Sequence, residues 1–181
     1  MTASITDFLA NFQEGGARPN RYEVILTFPS AVPFANDASR KIKFTCKTAA
    51  VPSSNLGVID VPYKGRMAKI PGDKVWDDWN VTILLDNDYL GRGVCEAWHN
   101  LINGFETNTA SQGMMNPANC FANATVNLLD RYDNVRRSYR VEGMFPTLVG
   151  EVTLGYDQND MISEQPVTFA INGWASDATG Q

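Results

Sequence analysis

At 181 residues, with 44% hydrophobic and 19% charged side chains, the chain suits one domain able to bury a proper core without staples. Its net charge of −5 argues against a protein made to grip nucleic acid, because such binding draws on clustered Lys and Arg that neutralise phosphates. Cys46, Cys95 and Cys120 are odd in number and far apart, with no CxxC or Cys/His spacing, so neither a zinc site nor a disulfide framework is indicated.

The opening residues, MTASITDFLANF, lack a basic run and carry Asp7, unlike a secretory signal. No apolar run approaches the ~20 residues of a membrane span. Folding in a cytoplasm is the expectation. Residues 4 to 13 read as a short helix capped by Ser4 or Thr6, with Ile5, Phe8, Leu9 and Phe12 at i, i+3, i+4 and i+7. Gly15-Gly16 ends it. So short a helix must dock on something.

Arg21 to Phe28 reads as the first strand, with Tyr22, Val24, Leu26 and Phe28 inward. Pro29 to Ser39 reads as a loop, since its prolines and Asn-Asp pair break ladders. Lys41 to Lys47 alternates, with Ile42, Phe44 and Cys46 inward, and is expected to pair with the first strand as a hairpin. Thr48 to Gly72 carries three prolines and three glycines, yet also Val51, Leu56, Val58, Ile59, Val61, Tyr63 and Met67. These are too many apolar side chains for a solvated linker, and loops of this length tend to be functional. The stretch reads as an extended hairpin arm that buries its apolar side against another chain; the competing reading is a lid over its own core.

A Pro-Gly-Asp turn at residues 71–73 leads to Trp76, Asp77, Asp78 and Trp79. Trp79, Val81, Ile83 and Leu85 then alternate as a half-buried strand. A helix follows, from about Tyr89 or Arg92 to Asn103, lined by Val94, Trp98, Leu101, Ile102 and Phe105 and stopped by Gly104. Thr107 to Cys120 is a polar surface loop. Strands resume at Phe121 to Asp130, Arg136 to Phe145, Glu151 to Tyr156 and Pro166 to Trp174, the last with Val167, Phe169 and Ile171 inward. Ala175 to Gln181 reads as a loose tail. The expected fold is mainly β, an antiparallel β-sandwich or barrel with one packed α-helix and an extended hairpin arm.

Little here suggests catalysis. His99 is a lone helical histidine, and no GxSxG, P-loop or Rossmann fingerprint is present. Asp86 to Gly91 begins like a calcium loop but has Leu90 and Ala97 where ligands belong; it reads as a helix-capping turn. Asp77 and Asp78 are adjacent on an extended chain and face opposite ways, so they do not flank one bond as paired acid and base. The arginines at 131, 136, 137 and 140 are interleaved with acids, which suits subunit salt bridges better than a nucleic-acid stripe.

Several segments together resemble the tail tube protein of contractile-tailed bacteriophages: Ala17-Arg18-Pro19-Asn20, Phe44 to Pro52, Gly72-Asp73-Lys74-Val75-Trp76-Asp77-Asp78-Trp79-Asn80-Val81-Thr82, and Gly143 to Glu151. They span about residue 17 to 174, and the tryptophan–aspartate segment and Gly143 to Glu151 are the most specific. The loop Pro29 to Ser39 and the long C-terminal tail depart from the pattern.

The resemblance implies a virion protein that forms hexameric rings, stacked inside a contractile sheath into a hollow tube for DNA delivery. It implies further copies of itself, sheath, baseplate, tail-terminator and tape measure proteins as partners, with DNA passing through the lumen without tight binding. It implies no catalytic residue, metal or cofactor. It also implies inter-ring or inter-subunit contacts at Val51, Leu56, Val58, Ile59, Val61, Tyr63, Lys64, Arg66, Met67, Asp73, Trp76, Asp77 and Asp78. Similar tubes occur in tailocins and type VI secretion. Two other readings stand beside it: the inner tube of a phage-derived injection machine, and a carbohydrate-binding β-sandwich using Trp76 and Trp79.

Overall fold

The computed structural model describes residues 4–12 and 16–179; Gly15 of the expected helix stop and the last two residues of the tail lie outside them. Helix α1 (Ile5–Ala10) is capped by Ser4, whose Oγ accepts from the Thr6 and Asp7 amides, and it buries no residue. Strand β1 (Tyr22–Thr27) follows, with Val24 and Leu26 buried, and Phe28 is buried just beyond its end.

The next stretch differs from expectation. Residues 29–39 are not all loop and 41–47 are not a strand. Helix α2 (Ala35–Thr45) takes up residues 35–39 of the first and most of the second, with Ala35, Ala38 and Ile42 buried. Those residues fall at i, i+3 and i+7, a helical stripe that competes with the alternation of Ile42, Phe44 and Cys46. Phe44, expected inside, is 83% exposed. The helix wins because it lays its stripe on β1 and on a later strand. Only Cys46–Ala49 is extended, as β2, and its partner is not β1.

Strands β3 (Ser54–Tyr63) and β4 (Arg66–Trp76) form a separate two-stranded sheet. They are joined through Lys64 (φ 45°) and Gly65 (φ 81°), the positive-φ pair of a type I′ hairpin turn. Pro71-Gly72-Asp73, expected to turn, instead runs through β4 as a bulge, where the register slips between Leu56 and Val58. The arm is therefore longer than its apolar spacing suggests, reaching Trp76.

Strand β5 (Trp79–Leu84) presents Trp79, Val81 and Ile83 to the core, with Leu85 buried just after it, as the alternation predicts. Helix α3 (Leu90–Ile102) buries Val94, Cys95 and Trp98. Phe105, expected on the same stripe, lies beyond the helix end and is exposed. Within the polar loop that follows, a short turn α4 (Pro117–Cys120) forms and Met114 is buried. Strand β6 (Ala122–Leu129) leads to β7 (Val135–Val149). Glu151 to Tyr156, expected as a strand, is irregular, while β8 (Glu164–Ala170) and β9 (Gly173–Ser176) divide the expected last strand at Ile171-Asn172. Strand β9 takes in Ala175 and Ser176, two residues assigned to the loose tail.

One antiparallel sheet runs β1-β6-β7-β8-β5-β2, with β9 also on β7. The long β7 belongs to both halves, pairing β6 and β9 with its first part and β8 with its last. The two edges approach each other at β1 and β2, where the Tyr22 hydroxyl donates to the Lys47 carbonyl. The curled sheet wraps a single core closed by two helices, α2 and α3, rather than one. At its centre Phe169 meets Trp79 at 6.0 Å and Trp98 at 6.1 Å, distances within the range of favourable aromatic pairs. The indole N–H of Trp98 donates to the Cys120 carbonyl at 3.0 Å, so this large side chain is buried without an orphaned donor.

Candidate assembly interface

The β3–β4 arm joins neither the larger sheet nor the core. A lid would bury its apolar side on its own chain, and among the described residues this hairpin does not. Leu56, Val58, Ile59, Val61, Tyr63, Met67, Ile70 and Val75 are all exposed. The register sorts them by face. Ile59 stands opposite Ile70, Val61 opposite Ala68 and Tyr63 opposite Arg66, which makes one face nearly all apolar. Asp60 opposite Lys69 and Pro62 opposite Met67 make the other mixed. An isolated hairpin is marginal in water, and a contiguous exposed apolar face marks an interaction surface. Ile70 and Val75 belong to this surface too. The sequence does not single them out, because Pro71-Gly72-Asp73 has the composition of a turn and masks the strand that runs through it.

The base of the arm is built differently. Asp77 accepts from Ser53 Oγ and from Asn55 Nδ2, both at 2.8 Å, tying the start of β3 to the end of β4. The Trp174 indole donates to the Ser53 carbonyl at 3.0 Å. Lys74 Nζ lies 4.5 Å from the Trp76 ring centroid and 5.4 Å from that of Trp174, a cation held over two π faces. Trp76 and Asp77 are half-buried in this arrangement, whereas Asp73 and Asp78 are exposed. Val51 lies off the arm, in the lining of a separate groove. The thirteen residues that the resemblance singles out therefore fall into an exposed tip, a fastened base and one outlier.

The carbohydrate reading fails on geometry. Trp79 is 1% exposed, its indole donating to the Ala50 carbonyl at 2.7 Å, and Trp76 is packed at the arm base, so neither offers a flat aromatic platform. Most of the basic cluster is also accounted for within the chain: Arg136 pairs with Asp130 at 3.0 Å, Arg137 with Asp177 at 3.7 Å and Arg140 with Glu142 at 2.7 Å. The expected inter-subunit bridges are thus intramolecular for these three. Asp88 Oδ1 accepts from the Leu90 amide at the start of α3, and Lys41 pairs with both Asp86 and Asp88. Those hydrogen bonds from Lys41 hold both carboxyls below the usual aspartate range. Burial pushes the Cys95 thiol up to about 12 and the Cys46 thiol up to about 11, so both behave as small hydrophobes.

Among the described residues, a curled β-sheet core thus carries a projecting hairpin whose apolar side chains are exposed. Residues 17–176 match the phage tail tube protein family, and the chain belongs to that family, a structural one found in virion tails. It is 30% identical over 164 residues to the tail tube protein of Serratia phage KSP90, covering 90% of each chain. It is 28% identical over 172 residues to that of Enterobacteria phage T4, covering 94% of this chain and 98% of the relative. Among solved structures it is similar to a chain of the sheath–tube complex of an extracellular contractile injection system, with a TM-score of 0.62, 13% identity and coverage of 97% and 99%. A chain of the anti-feeding prophage cap also has a TM-score of 0.62, with 15% identity and coverage of 99% and 100%.

Proposed function

We propose that the chain closes into hexameric rings that stack into the hollow inner tube of a contractile phage tail, through which DNA is delivered. The observation that carries this reading is the β3–β4 arm, whose apolar face is exposed among the described residues and calls for a partner in another chain. Copies joined head to tail form rings where the rotation closes and helical stacks where it does not, and closure also covers sheet edges that would otherwise aggregate. Sheath, baseplate, terminator and tape measure proteins are its partners, and its role is structural rather than catalytic. An acidic chain suits a conduit that must not hold phosphates. A phage tail is favoured over a phage-derived injection machine because relatives at 28–30% identity are phage proteins, whereas the likeness to injection systems is one of fold.

Negative-stain microscopy beside size-exclusion chromatography tests this directly. Six-fold rings or hollow tubes at high concentration are expected. A monomer that stays dispersed at every concentration, with or without a preformed baseplate to nucleate it, would overturn the reading.

A further inference from the structure

A groove of about 720 Å³ opens where the segment before β1 crosses the end of β6. Its floor is apolar, with Tyr22, Val51 and Leu128, and five arginines stand around it, at positions 18, 21, 131, 136 and 137. Arg21, Arg136 and Arg137 have carboxylate partners. Arg18 and Arg131 have no ion pair among the described residues. An apolar floor with spare cations at its rim calls for a ligand that is apolar and acidic together.

One segment of the same chain has that chemistry. Residues 151–162, between β7 and β8, carry Glu151, Asp157 and Asp160 and no Lys or Arg. Leu154 and Tyr156 stand fully out in solvent there. The segment has no helix or strand, only turns at residues 156–157 and 159–160, the first closed by Gln158 N–H donating to the Gly155 carbonyl. Its ends are fastened. The Gly150 amide donates to the Pro166 carbonyl, and Glu164 pairs with Lys47. The segment thus stands away from its own groove, and both surfaces are left open. The β3–β4 arm has the wrong sign for this groove, with Lys64, Arg66, Lys69 and Lys74 against Asp60 and Asp73. Helix α1 offers one acid, Asp7.

We propose that residues 151–162 of one copy seat in the arginine-rimmed groove of a neighbouring copy, Leu154 and Tyr156 on the apolar floor and the acids against Arg18 and Arg131. The contact is head to tail, so it adds a second interface to the one made by the arm. It rests on the reading of the chain as a self-assembling tube subunit.

Charge exchange in the full-length protein tests it. Arg131→Glu and the pair Asp157→Arg with Asp160→Arg should each raise the concentration needed for assembly at least tenfold, with melting curves of the monomer unchanged. Mixing the two variants should restore assembly, because the intact segment of the first meets the intact groove of the second, and the two altered halves meet with their charges exchanged. Assembly of either variant at the wild-type concentration, or no rescue on mixing, overturns the proposal while leaving the tube reading intact. A labelled peptide of residues 150–163 provides a readout that does not depend on assembly. It should bind the wild-type monomer saturably, more weakly with added salt, and bind Arg131→Glu at least tenfold more weakly. Absence of binding to the wild type overturns the proposal even if the chain makes no tubes at all.

Discussion

Trp76, at the foot of the arm, lies against Gly173 so closely that a Cβ on that glycine would fall 2.3 Å from the indole nitrogen. No side chain fits there without moving the ring. Gly173 opens β9 and Trp76 closes β4, so this contact sets the arm's position against the body. Gly173→Ala should displace Trp76 and destabilise the monomer by roughly 1–3 kcal/mol, the usual cost of overpacking. Thermal melting measures the loss, and faster proteolysis within residues 54–76 should accompany it. A variant with unchanged melting and unchanged cleavage would show that the base does not hold the arm.

Trp79 makes a separate contribution, to the core. Trp79→Ala removes a buried ring that packs on Phe169 and leaves the Ala50 carbonyl without its donor. The expected cost is roughly 3–5 kcal/mol, measured by urea unfolding of the monomer. A midpoint within error of the wild type would contradict the core described above.

Shortening the arm should separate folding from assembly. Ile59 and Ile70 face each other across the hairpin, so Asn-Gly can replace residues 60–69 and close a two-residue turn between them. The base, with Asp77, Trp76 and Trp174, is untouched. Circular dichroism and melting of the monomer should stay near wild type, while tubes fail to form under the microscope. Tubes of ordinary length from this variant would refute the assignment of the arm tip to assembly.

Acid should weaken the tie between α2 and the start of α3. Asp86 and Asp88 titrate below their ordinary values because Lys41 hydrogen-bonds their charged forms. A carboxylate with a lowered folded pKa stabilises the fold above its unfolded pKa, and that contribution is lost as pH falls through the folded value. The window therefore lies from about the ordinary aspartate value of 3.8 downward. Lys41→Met should melt below wild type at neutral pH, and the two curves should converge at the acid end of this window. Both carboxylates are solvent-exposed, so added salt should shrink the difference. Curves that stay parallel down to the lowest pH would remove the ion pairs from the account.

Thiol chemistry should report the core. Cys95, completely buried with its thiol pushed up to about 12, should resist a thiol reagent at pH 8 in the native monomer and react only on unfolding. Cys46, pushed up to about 11, should react slowly. Fast labelling of Cys95 would show that α3 opens from the core.

How much was legible from the residues follows from how local each signal is. The face of β5 was readable because Trp79, Val81 and Ile83 alternate, and a period of two needs no knowledge of the partner strand. The arm was readable from an excess of apolar side chains in a stretch broken by proline and glycine. The stretch around Ile42 was misread because both periods fit it: with Phe44 and Cys46 it alternates, and with Ala35 and Ala38 it forms a helical stripe. Packing on β1 decides between them, and that contact is not local.

By itself the sequence determined the β-rich class, the inward set of most strands, the existence of a projecting arm and the family. Each is written in side-chain periodicity, composition or short motifs. Only the tertiary structure decided that β2 pairs β5 instead of β1, that β7 serves both halves of the sheet, and that Trp76 and Asp77 fasten the arm to its own body. These depend on contacts such as Ser53 with Trp174, 121 positions apart. Which distant partner a half-buried side chain meets is settled by the closure of the whole core, and no window of neighbouring residues contains that information.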